Sequence, residues 1–486
     1  MDSFNNLLLA ISILLVLSIL ASKVTGRLGV PTLLIFLGIG MLAGSDGIGG
    51  IYFDDAAITQ NVGIIALIYI LFSGGLDTNW NKVKPIFWQG FSLATLGVFI
   101  TAIVVGIFVH KILNFTLFEG ILVGSIVAST DAAAVFSIMR SQKVQLSGQI
   151  RETIELESGS NDPMSVFLTI ALLRLVKEPD AGMMDLIILF VQQMGLGGVG
   201  GFLFGKVSIF LINKIKLQYE GLYPVLTITI ALLSYSLTSY IGGNGFLAVY
   251  LTGLILSDKD FIHKKSLIRL HDGVSWLMQI IMFLLLGLLV FPKQLLSVVW
   301  IGIVLSVILI FIARPLSVYI SLAFAKLNFK EKAMISWVGL RGSVPIILAT
   351  FPKQAGIEKA DLIFNLVFFI VITSILFQGT LLPAVAKFFK VIEKDSNQQP
   401  KIIPFQPEEI GKTDNDLVTV TLSKESKLIG KQIVEVGLPE GALIVLLTRG
   451  EEYVVPRGAT QLMENDIILI LAGRKLLPKI HEIMKV

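Results

Sequence analysis

The sequence predicts a polytopic α-helical membrane protein that ends in a small α+β domain, and three observations carry that prediction. Of 486 residues, 54% are hydrophobic and 15% are charged, a balance far too apolar for a soluble chain of this size. The apolar residues gather into thirteen runs, most of them near the bilayer-spanning length of about 17 to 25 residues. After Lys390 the composition turns abruptly polar, with short strand-like stretches separated by turns.

The runs cover residues 6–22, 28–44, 57–76, 85–109, 117–139, 153–174, 184–212, 222–240, 244–257, 272–291, 295–325, 333–351 and 361–389. The first follows "MDSFNN", which lacks the positive n-region of a cleavable signal peptide, and so reads as a retained helix. Loops after the odd-numbered runs up to the eleventh carry sixteen cations, from Lys23 and Arg27 to Lys326, Lys330 and Lys332. The opposite set carries six: Lys111, Arg174, Lys177, Lys293, Lys353 and Lys359. By the positive-inside rule the N-terminus lies outside and the tail is cytoplasmic. The net charge of +4 is then loop topology, with no nucleic-acid patch. Zero cysteines exclude disulfides, thiol catalysis and Cys-based zinc sites.

In the tail, residues 391–412 read as a linker and 413–486 as an α+β module. "DLVTVTLS" (416–423), "ALIVLLTR" (442–449), "EEYVVP" (451–456) and "DIILILAG" (466–473) have strand character, and "KLLPKIHEIMKV" offers a terminal helix.

Two membrane runs are interrupted, the fifth by "ASTDAA" and the twelfth by "GLRGSVP". Paired broken helices in corresponding halves point to an inverted-repeat transporter with its site at the midplane. Asp131, Glu157, Asp162 and Arg341 lie inside the runs, where a central unpaired charge costs about 2.5 to 3.5 kcal/mol. In "ELESGSNDPMSVF" helical spacing sets Glu157 with Asn161 and Ser158 with Asp162 on neighbouring edges, and Pro163 removes a backbone donor. Oxygen-rich, loosened backbone beside a carboxylate suits a hard monovalent cation or a proton. The simplest account of Glu157 and Arg341 is a mutual buried ion pair. Asp131 and Asp162 then lack a cationic partner and become groups for which protons and cations compete. The plainer alternative for Asp131 is a helix cap, and for Thr130 and Ser158 it is back-bonding to the preceding turn.

Other patterns carry no chemistry. "GLGGVG" (195–200) lacks a preceding strand, and Gly197, Gly201 and Gly205 form a small-residue packing ridge. The four histidines read as loop or tail residues without HExxH spacing, and "GKT" (411–413) lacks the upstream glycine of a P-loop. With no ATP motor encoded, transport must draw on an existing gradient.

The motifs "STDAAA", "ESGSND" and "GLRGSVP", in this order, resemble those of the NhaP-type (CPA1) monovalent cation/proton antiporters across the whole membrane part. The resemblance implies a dimer of thirteen-helix subunits with an inverted-repeat fold. Core helices (85–174 and 295–389) would move against scaffold helices (6–76 and 184–291), with two discontinuous helices crossing. It implies that Asp162 binds cation and proton alternately, that Asp131, Thr130 and Ser158 complete the site, that Asn161 braces the crossing and that Glu157 and Arg341 pair. Asn161 stands where related CPA2 proteins carry a second aspartate, which favours electroneutral one-for-one exchange. Ser73 in "ILFSGGLD" departs from the glutamate that many members place there, which puts a cation ligand from that helix in doubt. The tail resembles the C-terminal half of an RCK (TrkA-C) domain, which favours K⁺ over Na⁺ and implies a regulatory ligand, a cyclic dinucleotide or other nucleotide. The protein is then no enzyme and needs no cofactor. A channel gated by the tail finds no TVGYG-like filter, and an aspartyl protease built on Asp131 and Asp162 leaves Arg341 without a role.

Overall fold

The computed structural model describes residues 2–28, 32–142, 144–178, 182–259, 261–392, 415–422, 426, 428–450, 452–473, 476, 479–480 and 483. Almost all of the expected linker, the "GKT" stretch, Lys143 and most of the expected terminal helix lie outside the described residues. The chain divides into two compact units, Met1–Glu393 and Lys394–Val486.

The first unit is helical. Its elements are α1 (Asp2–Leu28), α2 (Thr32–Ala43), α3 (Ala56–Asp77), α4 (Trp80–Val83), α5 (Phe87–Ser92), α6 (Val98–Leu113), α7 (Leu117–Ile126), α8 (Ala132–Ser141), α9 (Gly148–Lys177) and α10 (Met183–Lys214). There follow α11 (Leu222–Tyr240), α12 (Gly245–Asp258), α13 (Lys264–Leu289), α14 (Pro292–Leu295), α15 (Val299–Ile308), α16 (Arg314–Ser321), α17 (Phe329–Trp337), α18 (Ser343–Leu348), α19 (Thr350–Gln354), α20 (Ala360–Thr373) and α21 (Thr380–Phe389). Short π-helical turns at Leu93–Gly97, Leu309–Ala313 and Ser374–Gly379 join α5 to α6, α15 to α16 and α20 to α21 without breaking the rod.

Among the described residues, seven helices are long and apolar enough to cross a membrane: Ala56–Asp77, Trp80–Leu113, Met184–Lys214, Leu222–Tyr240, Lys264–Leu289, Pro292–Ser321 and Ala360–Phe389. The other apolar runs fall short for separate reasons. The fifth and twelfth are each split in two, α2 and α12 are short, and α9 carries Arg151, Glu152, Glu155, Glu157 and Asp162. Packing without a hydrophobic drive between helices relies on small residues. The ridge Gly197, Gly201 and Gly205 on α10 illustrates it. A Cβ added there would come within 2.8 Å of the Asn244 carbonyl oxygen, the Ala248 carbonyl oxygen and Ile255 Cβ respectively, which leaves room for glycine alone against α12.

Two histidines expected in loops are helical. His110 lies in the last turn of α6. His271 lies inside α13, which starts eight residues before the apolar run and so also carries Lys264, Lys265 and Arg269. Its ring is buried against Phe72, with Nε2 2.9 Å from Thr227 Oγ1. The polar first turns of α13 hid this from a hydropathy reading.

The second unit holds a four-stranded antiparallel sheet, β1 (Asn415–Thr421), β2 (Ala442–Arg449), β3 (Glu452–Val454) and β4 (Ile467–Gly473), in the order β1-β4-β2-β3. Alternation in β4 buries Ile468, Ile470 and Ala472, the period-two pattern of a sheet with one packed face. The Arg449 guanidinium donates to both oxygens of the fully buried Asp466 carboxylate at 2.9 Å, a bidentate pair that fixes the β2 end to the turn before β4.

Candidate functional site

Two helix interruptions build the site, and local sequence causes both. After α7 the chain stays non-helical from Val127 to Asp131, where Ser129, Thr130 and Asp131 offer hydrogen bonds that compete with the helical ladder. Asp131 then caps α8, its Oδ1 accepting from the Ala134 N–H at 3.0 Å. The second interruption spans Val338 to Gly342, before α18. Pro345 has no N–H to offer the Arg341 carbonyl, and its ring would clash there in a continuous helix.

The interruptions are joined to each other. The Asp131 N–H donates to the Leu340 carbonyl at 2.8 Å, and Arg341 Nη1 donates to the Ser129 carbonyl at 3.2 Å. Backbone groups freed from their helices thus satisfy one another. The π-helical turn after α20 supports the second break. Ser374 Oγ accepts from the Arg341 N–H at 3.2 Å and donates to Gln378 Oε1 at 2.6 Å, and Gln378 Nε2 donates to the Trp337 carbonyl at 3.0 Å.

Helix α9 grips the first break along one face, through residues spaced three and four apart. Ser158 Oγ donates to the Thr130 carbonyl and accepts from the Ala132 N–H, both at 2.9 Å. Asn161 Nδ2 donates to Thr130 Oγ1 at 2.6 Å. Ser129 Oγ donates to Asp162 Oδ1. Ser158 and Thr130 therefore bond across helices and not to their own preceding turn. Asp162 is 8% exposed, interacts electrostatically with Asp131, and no Lys, Arg or His pairs with it among the described residues.

These groups open onto a cavity of about 790 Å³. Ser129, Thr130, Asp131, Ser158, Asp162 and Gly342 line it, with Ser73 of α3 also on the wall. Charged residues including Asp77, Arg140, Arg151, Glu152, Asp272 and Arg269 line it as well. Among the described residues, no group of three or more His, Cys, Asp or Glu is placed to hold a metal ion. Asp162 and Asp131 with hydroxyl and carbonyl oxygens suit a monovalent cargo that exchanges readily.

The expected pair of Glu157 with Arg341 does not form. Glu157 is held instead by Arg314 of α16, Nη1 to Oε1 at 2.5 Å and Nη2 to Oε2 at 2.9 Å, with both side chains at most 5% exposed. Arg314 escaped notice inside the long run 295–325, although the test that singled out Asp131 applies equally to it. Glu157 bonds to Arg314 while Asn161 bonds to Thr130, so the Glu157–Asn161 edge does not act on one partner. Arg341 is fully buried beside the break, with Nε and Nη2 lacking hydrogen-bond partners. Ser129 was another omission, and its place inside "ASTDAA" was the signal.

Gly342 faces Asp131 directly. A Cβ on Gly342 would lie 2.8 Å from both Cβ and Cγ of Asp131. Gly342→Ala must therefore displace Asp131 or part the two breaks, an overpacking cost of about 1 to 3 kcal/mol. The expected result is folded protein with at least tenfold slower ion exchange in reconstituted vesicles.

A helical membrane protein whose two interrupted helices bond to each other around an unpaired buried aspartate has the build of a secondary ion transporter. The comparisons agree and narrow the class. Residues 11–388 match the family model described as sodium/hydrogen exchanger, transmembrane, and residues 417–485 match the TrkA-C domain. The chain is 38% identical over 484 residues to the K(+)/H(+) antiporter NhaP of Alkalimonas amylolytica, covering 100% of this chain and 84% of the relative. It is 40% identical over 485 residues to the K(+)/H(+) antiporter NhaP2 of Shewanella sp. (strain ANA-3), covering 98% and 83%. The solved sodium proton antiporter MjNhaP1 of Methanocaldococcus jannaschii at pH 8 superposes with a TM-score of 0.68 at 27% identity, covering 77% of this chain and 99% of that one. The chain belongs to the sodium/hydrogen exchanger family, in its CPA1 group, and carries a TrkA-C domain; its activity is cation/proton exchange.

Proposed function

We propose that this protein exchanges K⁺ for H⁺ one for one by alternating access, with Asp162 carrying proton and cation in turn. The observation that carries the reading is Asp162 itself, buried at the joined breaks, facing the cavity and unpaired by any cation among the described residues. A carboxylate in that position holds a proton or a metal cation but not both, which is the coupling an antiporter needs. Asn161 beside it is neutral and already donates to Thr130, so the second aspartate of the CPA2 pattern is missing, which favours electroneutral exchange. Asp131 tunes the site, Thr130 offers oxygen, and Ser158 and Asn161 hold the break open. Glu157 and Arg341 serve as supports, the first through Arg314.

K⁺ is favoured because the full-length curated relatives are named K(+)/H(+) antiporters and share the TrkA-C domain. Na⁺ is the second reading, favoured by the name of the solved neighbour, a sodium proton antiporter. Ser73 in place of a glutamate is a candidate cause of the difference.

The arginines and lysines of the cavity wall, Arg140, Arg151, Arg269, Lys82 and Lys265, belong to the cation-rich loop set. The positive-inside rule then makes the cavity face the cytoplasm, with the N-terminus outside and the TrkA-C domain cytoplasmic in a cell inner membrane. Thirteen spans, a core of residues 85–174 and 295–389 crossing at the two breaks, and a homodimer through the scaffold complete the proposal. The TrkA-C domain would bind a cyclic dinucleotide or other nucleotide as regulator.

The test is dissipation of an imposed ΔpH in inside-out vesicles as K⁺, Na⁺ and Li⁺ are added across a range of pH. K⁺ is expected to act at the lowest concentration, with a rate independent of membrane potential. A lower half-maximal concentration for Na⁺ would transfer the assignment to the second reading.

A further inference from the structure

The two ends of α3 sit in opposite electrostatic settings. Just before its first turn, Lys353 Nζ of α19 reaches Asp54 Oδ1 at 3.0 Å and Asp361 Oδ1 of α20 at 3.2 Å. In the same region Lys293 of α14 pairs with Asp46 at 3.1 Å, tying α14 to the α2–α3 loop. Around these pairs Phe291, Leu289, Thr350 and Phe364 enclose a hollow of only about 80 Å³. This end of the membrane unit is stapled shut.

At the other end, Asp77 closes α3 and lines the 790 Å³ cavity. Asp77 interacts electrostatically with Arg140, at the end of α8, and with Asp272 of α13. Arg140 and Arg151 share the cavity wall with these two acids. Among the described residues no ion pair within 4 Å joins Asp77 to either arginine. Opposite charges thus share the cavity wall without a close ion pair at the open end of a rod of 22 residues whose other end is bonded.

We propose that Lys353 is a latch: its bond to Asp54 holds the far end of the pathway shut while the cavity is open, and Asp77 with Arg140 is the counterpart that closes when that bond breaks. The proposal rests on the alternating-access reading above. In that reading Asp54 and Asp77 belong to one helix group and Lys353, Asp361 and Arg140 to the other. A rigid α3 cannot keep both ends bonded as one group rocks against the other, so making one contact opens its counterpart. Half-exposed pairs are weak, which suits a contact that must open in every cycle. Asp361 stays with Lys353 on its own side and keeps the ammonium paired after Asp54 is released.

The chain contains no cysteine, so a single Ser275→Cys reporter on the cavity wall reads access without background. The rate of labelling by a membrane-impermeant maleimide is measured in right-side-out and inside-out vesicles. Lys353→Met is expected to lower labelling from the cavity-open face and to raise it from the opposite face, each by roughly two- to fivefold. Lys353→Arg should match the parent. Asp77→Asn should do the reverse of Lys353→Met and slow turnover, with the half-maximal cation concentration unchanged. Asp54→Asn repeats the latch test from the acid side and serves if Lys353→Met fails to fold. Parent-like labelling from both faces in Lys353→Met and Asp54→Asn would overturn the latch. Labelling reports access without transport, so failure of the exchange assignment is read separately, from the vesicle ΔpH assay.

Discussion

Asp162→Asn is expected to abolish cation-driven proton movement in vesicles while leaving the yield and monodispersity of the purified protein unchanged. The amide is nearly isosteric with the carboxylate and can still accept from Ser129 Oγ, so the hydrogen-bonded frame survives. What disappears is the charge, and with it any exchange of a proton for a cation. Only the passive leak of the vesicles should remain. Asp131→Asn gives the contrast. Asparagine caps a helix about as well as aspartate, so the bond to the Ala134 N–H is kept. Exchange should then persist with an altered pH profile and a higher half-maximal cation concentration. Full activity in Asp162→Asn would remove this residue from the carrier role, and abolition by Asp131→Asn alone would reverse the order of the two acids.

The second large effect is structural. Arg314→Met leaves the Glu157 carboxylate buried without its two guanidinium bonds, and stranding one partner of such a pair costs about 3 to 5 kcal/mol. The variant is expected to lose most of its thermal stability in detergent and to express poorly. Adding Glu157→Gln should recover much of that loss, because the amide needs no counter-charge. A single Arg314→Met variant as thermostable as the parent would overturn this cost and point to Arg341, which is buried and interacts electrostatically with both partners, as the replacement. That outcome would restore the pairing first expected from the sequence.

Much of the site is legible in the chain itself. Asp131 and Asp162 stand out because an ionisable group in an apolar run is costly enough to need a reason. The breaks are written in "ASTD", whose side chains compete for backbone bonds, and in "GLRGSVP", where Pro345 removes a helical donor. Spacing also places Ser158 with Asp162 on one edge of α9. The strands of the second unit follow from short strand-like stretches bounded by turns, as in "DIILILAG". These are local features, set by residues within a turn or two of one another.

Partner choice is different in kind. Glu157 meets Arg314 at a sequence separation of 157 and not Arg341, the partner expected from the charges inside the runs and from the family resemblance. Either arginine satisfies the chemistry, and only the rotation of α9 and the approach of α16 select between them. Ser129 reaches Asp162, and Asp131 bonds to Leu340, because two broken helices and α9 converge at one depth. The stapled end and the open end of α3 likewise come from how helix groups pack, since both carry the same kinds of charge. Sequence alone determined which residues had to be buried, broken or charged, because those costs are local. Only the tertiary structure decided which of them share a contact, because a pair spanning many residues forms where helix packing brings two faces together.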